Sequence, residues 1–246
     1  MEDPHAPIAR YLRERRESSG LTRAALSEAA GISPALIQKI EQGTRVPTLE
    51  ALTALFDALD VPDVFRNHLV ALSLSHRYDE PAPTQLNDLP AADLVLLHSL
   101  PHPASVQVYP TFDVLAVNAA WERFFPGLVP GTTLLEWMLL DPISRTVVIE
   151  WAKQIHLSVY GFRVMSPGVV PQQRIDELVA ACSAAPEWEH LWTTEPQQPH
   201  DIDSPVLTLR DPGTGAPTLM SMLNFEFAHP RREWSLITFC PATEEI

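Results

Sequence analysis

GISPALIQKIEQG, residues 31–43, decides how the first third of this chain reads. Gly31 stops a preceding helix. Ser33 is of the type that caps a new one, and Pro34 follows at the first helical position, where a missing N–H costs nothing. Ile37 and Ile40 supply the apolar side, and Gly43 ends the element. Immediately upstream, Thr22 caps a helix over TRAALSEAA. Two short helices joined by a glycine turn make a helix-turn-helix unit.

The flanking sequence extends the pattern. Ile8 to Ser19 has helical spacing, with Ile8, Tyr11 and Leu12 inward and Gly20 as the stop. Pro47-Thr48 opens a fourth helix with Leu49, Leu52, Leu55, Phe56 and Leu59 on one stripe, and a fifth is expected from Asp63 to Ser75. The run Leu21-Thr22, Leu26, Ala29-Ala30-Gly31-Ile32-Ser33, followed by Ile37, Ile40-Glu41, Gly43, Arg45 and Pro47-Thr48-Leu49-Glu50, resembles the Cro/repressor (XRE) family of DNA-binding domains across residues 8–60. The resemblance implies an all-α, five-helix, lambda-repressor-like domain.

With Ile37 and Ile40 turned toward the second helix, Pro34, Ala35, Leu36, Gln38 and Lys39 are left for the major groove. By similarity to the family, Pro34, Ala35, Gln38 and Lys39 lie near base edges. Gln38 can pair bidentately with adenine and Lys39 can bond guanine, while Leu36 serves equally well as core. Ser33, Arg23, Thr44 and Arg45 are the phosphate-side candidates, and Arg23 stands where the family often has a Gln. Glu41 occupies the place of a structural acid and reads as a helix-pinning partner. One such module binds weakly. A homodimer on a pseudo-palindromic operator of double-stranded DNA is therefore expected.

The bulk charge argues the other way: the net charge is −14 and the pI about 5.0, whereas DNA is a polyanion. The charge is unevenly spread. Residues 1–80 hold nine Lys/Arg against twelve Asp/Glu, a net −3, and residues 81–246 hold eight against nineteen, a net −11. Basic residues cluster in the first part at Arg10, Arg13, Arg15, Arg16, Arg23, Lys39 and Arg45. The local potential of the presented face counts, not the total.

DEPAPTQLNDLPA, residues 79–91, has three prolines and no apolar period, and reads as a linker between residues 1–78 and 92–246. Beyond it come a short helix (ADLVLLHSL), a hairpin (PASVQVYP and FDVLAVN) and helical stretches at AAWERFF and LLEWMLL. A longer helix is expected from Pro142 to about Phe162, then helices at QQRIDELVAACSA and PEWEHLW, and closing strands around an Asp-Pro-Gly-Thr-Gly turn. Strands, then helices, then strands give an α+β domain with one antiparallel sheet. FDVLAVNAAWERFF resembles the second strand and first helix of PAS sensor domains, with Asn118 as the helix cap. LPAADLVLLHSLPHPASVQV, LLEWMLLDPISR, IDELVAACSAAPEWEHLW and the closing strands resemble the MmyB-like family, in which an XRE domain precedes a PAS-like ligand-binding domain. Val117 stands where a Trp is common in that family.

The second part is rich in large apolar side chains. Trp121, Phe125, Trp137, Met138, Trp151, Met220 and Met222 are candidates to line a site for a hydrophobic small molecule, and each fits a plain core position as well. The resemblance adds a fatty-acid-like ligand, whose carboxylate Arg145 or His156 could meet. A domain that serves only dimerisation or protein interaction is the alternative.

Nothing in the sequence points to an enzyme. There is no G-x-S-x-G, no Cys–His signature and no phosphate-cradling glycine loop. His98 and His102 are four apart, but Pro101 interrupts any helix that would align them on a metal. No metal or cofactor is expected. Cys182 and Cys240 have no cysteine neighbour at redox or zinc spacing and read as small core residues. No run approaches the ~18 apolar residues of a membrane span, and the N-terminus has no apolar signal region. A cytoplasmic protein without a membrane partner is expected.

Overall fold

The structure is a computed structural model and describes residues 6–74, 89–227 and 234–242. Two compact units make up the chain: Met1–Glu80 with Val164–Pro171, and Pro81–Arg163 with Gln172–Ile246. Most of the stretch read as a linker, and the sequence between the last two strands at 228–233, lie outside the described residues.

The first unit carries five helices: α1 (Ala6–Ser18), α2 (Arg23–Ala30), α3 (Pro34–Glu41), α4 (Leu49–Ala58) and α5 (Asp63–Leu74). The helix starts are set by hydroxyl caps. Thr22 accepts from the Ala25 N–H, Ser33 from Leu36 and Thr48 from Ala51, at 3.1, 3.3 and 3.2 Å, each satisfying a donor the helix cannot pair internally. Gly31 closes α2 at φ 66°, a left-handed conformation in which other residues are strained. Ile8, Leu12, Leu26, Ile37, Ile40, Leu52, Leu55, Phe56 and Phe65 form the core. Leu49 departs from the expected stripe: as the first residue of α4 it is 60% exposed.

Two of the clustered arginines are part of this core instead of a basic surface. Arg15 and Arg16 are buried. Arg15 donates through Nε and Nη2 to the carbonyls of Leu59 and Asp60, placing a cation just past the C-terminal end of α4.

The second unit is an antiparallel sheet with helices inserted in its middle. Its elements are α6 (Ala91–Ser99), β1 (Ala104–Val108), β2 (Asp113–Val117), α7 (Ala119–Phe124), α8 (Leu134–Leu140), α9 (Ser144–Val147), α10 (Trp151–Met165), α11 (Gln172–Cys182), α12 (Trp188–Thr193), a 3-10 turn (Pro199–Asp203), β3 (Val206–Arg210), β4 (Pro217–Glu226) and β5 (Trp234–Pro241). The spatial order is β2-β1-β5-β4-β3, every pair antiparallel. β1 and β5 are central, although they come from opposite ends of the domain sequence.

The two faces of the sheet are covered differently. Ala104, Val106, Ala116, Trp234 and Leu236 form one cluster with Leu97 of α6. The opposite, inner face carries Ser105, Gln107, Ile237, Phe239 and, on β4, Met220 and Met222. Its orientation toward α7 is fixed by Phe239, whose ring lies 5.9 Å from Trp121 and 5.3 Å from Phe125. Asn118 is the joint between these layers. Its Oδ1 caps α7 by accepting from the Trp121 N–H (2.8 Å) and also accepts from the Ala104 N–H (3.1 Å). Its Nδ2 donates to the carbonyls of Leu100 and His102 at 3.0 and 2.8 Å.

The long helix expected from Pro142 to Phe162 is broken. α9 ends at Val147, and Val148 forms a bridge with Leu209 of β3. The Ile149 N–H then donates to the Thr208 carbonyl (3.2 Å), and Glu150 takes φ 59° before α10 begins. A sheet edge outcompetes the helical hydrogen bonds at this point, and the apolar spacing of the sequence continues through the break. Among the described residues no helix is long and apolar enough to cross a membrane.

Candidate DNA-reading helix and ligand-binding face

The burial pattern of α3 splits it into two sides. Ile37 and Ile40 are 1% and 2% exposed, Leu36 is half-buried, and Pro34, Ala35, Gln38 and Lys39 are exposed. Ser33, Thr44 and Arg45 flank the helix and are exposed too. Thr44 Oγ1 donates to the Lys39 carbonyl at 3.1 Å, securing the C-terminal end.

Arg23 is held in place by Glu41. Glu41 is buried, and its carboxylate accepts from Arg16 Nε at 2.6 Å and from Arg23 Nε at 2.8 Å. The side chain of Arg16 is 8% exposed and that of Arg23 42%. Arg16 is therefore a structural cation, while Arg23 reaches solvent beside the start of α2. Burial would raise the Glu41 carboxyl, but the hydrogen bonds from Arg16 and Arg23 outweigh it and hold it below its ordinary value. Glu41 thus pins α1, α2 and α3 together.

On the inner face of the second unit, three of the aromatic candidates meet. Trp121, Phe125 and Trp137 are buried, with Phe125 at 4.4 Å from the Trp121 ring and 6.0 Å from Trp137. Their indole N–H groups are satisfied locally: Trp121 donates to the Leu128 carbonyl and Trp137 to that of Pro126. Gly127 lets the turn after α7 pass close to these rings. At φ 86° any other residue is strained, and an added Cβ would meet Asp141 Oδ2 at 2.6 Å, so that carboxylate would have to shift. Met222 lies opposite Phe239 on the neighbouring strand, and Met220 is buried opposite Pro241.

The remaining candidates form a second group. Trp151 donates to the Met138 carbonyl (2.8 Å), and the Arg145 guanidinium lies 3.7 Å over the Trp151 ring. Arg145 is also paired with Glu187 at 2.8 Å and exposed, so its charge is matched away from the aromatic cluster. His156 is half-buried beside Thr194, 3.1 Å from its Oγ1. Burial, joined by His190 and Arg163, holds His156 below its ordinary pKa although the Thr194 carbonyl works the other way. The sequence singled out neither Gln107 nor Ser105, which are buried on the inner face. The alternation of ASVQV reads those two as the solvent side of a strand, and nothing local signals that both sides of β1 are covered.

Cys182 is fully buried and its thiol is pushed up to about 12, mainly by that burial, while Cys240 is half-buried. Both are free thiols. Among the described residues no group of His, Cys, Asp and Glu could hold a metal ion.

A helical unit with a capped, outward-facing third helix, followed by a sheet-and-helix domain with an aromatic inner face, defines a DNA-binding transcription regulator with a ligand-binding domain. The family comparisons agree in chain order. Residues 7–69 match a helix-turn-helix domain model, and residues 89–245 match the MmyB-like transcription regulator ligand binding domain. The chain belongs to the MmyB-like transcription regulators. A comparison with curated proteins returned no match.

Proposed function

We propose that α3 reads base edges through Gln38 and Lys39, with apolar contact from Pro34 and Ala35, while Arg23, Ser33, Thr44 and Arg45 hold the phosphates. The observation that carries this reading is the split of α3. The two isoleucines are spent on the core, and four consecutive-turn side chains remain exposed on one short helix. A lone module buries too little surface to be selective, so the regulator acts as a cytoplasmic homodimer on a pseudo-palindrome with half-sites about one helical turn apart. Selection of bound sequences from a random duplex pool with the full chain tests this. Two enriched half-sites at that spacing support it, and an unenriched pool sinks it.

The second domain binds a hydrophobic small molecule, of fatty-acid-like size, that modulates DNA binding. Trp121, Phe125, Trp137, Met138, Met220 and Met222 form its apolar wall, with Trp151 bonded to the Met138 carbonyl and Arg145 stacked on Trp151. Mass spectra of the purified protein under native and denaturing conditions check the claim. A noncovalent adduct of a few hundred daltons is expected, the size that fits a site of about 300–1,000 Å³.

A second reading draws on the outer face of the sheet, where Leu219, Leu223 and Phe225 are 48%, 41% and 53% exposed. An apolar strip of that kind favours a domain that serves protein–protein contact. A dimer with no adduct in the native spectrum would favour it over a ligand sensor.

A further inference from the structure

β4 runs on past the end of β3. The pairing of the two strands stops at Val206 and Ser221, with one further bond from the Met222 N–H to the Pro205 carbonyl at 2.6 Å. From there to Glu226, β4 has only β5 beside it. The Phe227 N–H donates to the Trp234 carbonyl and the Leu219 carbonyl accepts from Ala242, so the odd-numbered residues of β4 bond toward β5. Asn224 and Glu226 therefore aim their N–H and C=O groups the other way. Among the described residues no strand pairs with that edge. Leu223, Asn224, Phe225 and Glu226 are all exposed, so neither face of this stretch is covered. The other edges of the sheet are treated differently. The Val114 N–H of β2 donates to the Thr132 carbonyl at 2.9 Å, and the Thr208 carbonyl of β3 accepts from Ile149. An open strand edge carrying a Leu and a Phe is a template for pairing with another chain.

We propose that this edge joins two copies of the chain, with β4 of each pairing antiparallel about a two-fold axis at Phe225. This rests on the reading of the regulator as a homodimer and says where the copies meet. The register follows from the positions that are open. The Met222 N–H is spent on Pro205, so only Asn224 and Glu226 are left to pair. With the axis at Phe225, Asn224 of each copy meets Glu226 of the other, and each such pair exchanges both backbone hydrogen bonds. The side chains then match as well. On the outer face Phe225 stands opposite itself and Leu223 opposite Phe227, and on the inner face the Asn224 amide can donate to the Glu226 carboxylate. An axis at Glu226 would set two carboxylates against each other. An axis at Asn224 would bring Glu226 onto Met222, whose donor is taken. A strand that complements itself in the one register its free positions allow fits a second copy.

The test uses the full chain. Sedimentation over a dilution series at low salt gives the dimer dissociation constant of wild type, Asn224→Glu and Asn224→Lys, both changes lying at an exposed position. Asn224→Glu puts like charges opposite each other at two symmetric places and should weaken the dimer roughly five-fold or more, while Asn224→Lys should tighten it by about as much. Phe225→Cys in a Cys240→Ser background should oxidise to a covalent dimer, because the Cα atoms of a non-hydrogen-bonded pair stand about 4.5 Å apart. Leu223→Cys in the same background, out of register with itself, should not. A dimer whose constant ignores both charge changes, or one that cross-links no better through Phe225→Cys than through Leu223→Cys, would overturn the proposal and leave the homodimer standing. A wild type that stays monomeric at every concentration would overturn the homodimer reading and this one with it, and would leave the edge to a strand from another protein.

Discussion

The carboxylate of Glu41 lies 2.8 Å from Arg23 Nε, so the last residue of α3 fixes the first residue of α2. The same carboxylate holds the buried Arg16. In the proposed reading the Nη groups of Arg23 meet a phosphate from a side chain that is already oriented, which would spare part of the ordering cost of binding. Arg23→Ala is expected to weaken binding to operator and non-operator DNA alike and to lower the salt slope by about one unit. An unchanged slope would show that Arg23 serves only the fold.

Acid should loosen these helices through Glu41. Its folded pKa lies below the ordinary 4.5, so the stability it contributes is present above that value and lost as pH falls through the folded pKa. Hydrogen exchange of α1 to α3 in the full chain should therefore accelerate below about pH 4.5. Glu41→Gln should remove this acid sensitivity and cost about 1–3 kcal/mol at neutral pH, because Arg16 keeps Glu17 and the Leu21 carbonyl, both at 3.0 Å, but loses its buried carboxylate. A wild-type acid response that persists in the variant would assign it to other carboxylates.

Asn118 accepts two hydrogen bonds and donates to the carbonyls of Leu97, Leu100 and His102, which ties α6, β1 and α7 together. Asn118→Ala strands buried backbone groups on three elements, and a loss of about 2–4 kcal/mol is expected from denaturant melts followed by tryptophan fluorescence. Asn118→Asp should be no better, since a carboxylate would face the Leu100 and His102 carbonyls. A loss confined to a few tenths of a kcal/mol in Asn118→Ala would contradict its role as the joint.

The net −11 of residues 81–246 should repel phosphate and suppress sequence-blind binding. Deleting those residues is expected to raise non-specific affinity at low salt, measured on a duplex without operator, with the difference fading toward high salt. No change at low salt would remove the acidic domain from the account.

Much of the first unit was legible from single residues. Thr22, Ser33 and Thr48 cap where their side-chain chemistry says they should, and the glycine turns follow from conformations other residues avoid. Glu41 was readable as a pin, but the burial of Arg15 and Arg16 was not. The sequence around them looks like a basic surface, and only the tertiary carbonyls of Leu59 and Asp60 and the Glu41 carboxylate turn them inward. In the second unit the strands and Asn118 were legible from alternation and capping. The break at Val148 to Glu150 was not, because a bridge to β3 across sixty residues of chain overrides an unbroken apolar period. Ser105 and Gln107 were hidden for a related reason. Alternation marks one face of a strand as solvent, and β1 has none.

The most direct measurement compares affinity for a selected operator with affinity for an unrelated duplex, in wild type and in the Gln38→Ala/Lys39→Ala double variant at one salt concentration. If α3 reads bases through these two side chains, the ratio of the affinities should fall by about ten-fold or more, at roughly 1–3 kcal/mol for each lost base pairing. An equal loss on both duplexes would contradict the account and confine Gln38 and Lys39 to the phosphate backbone.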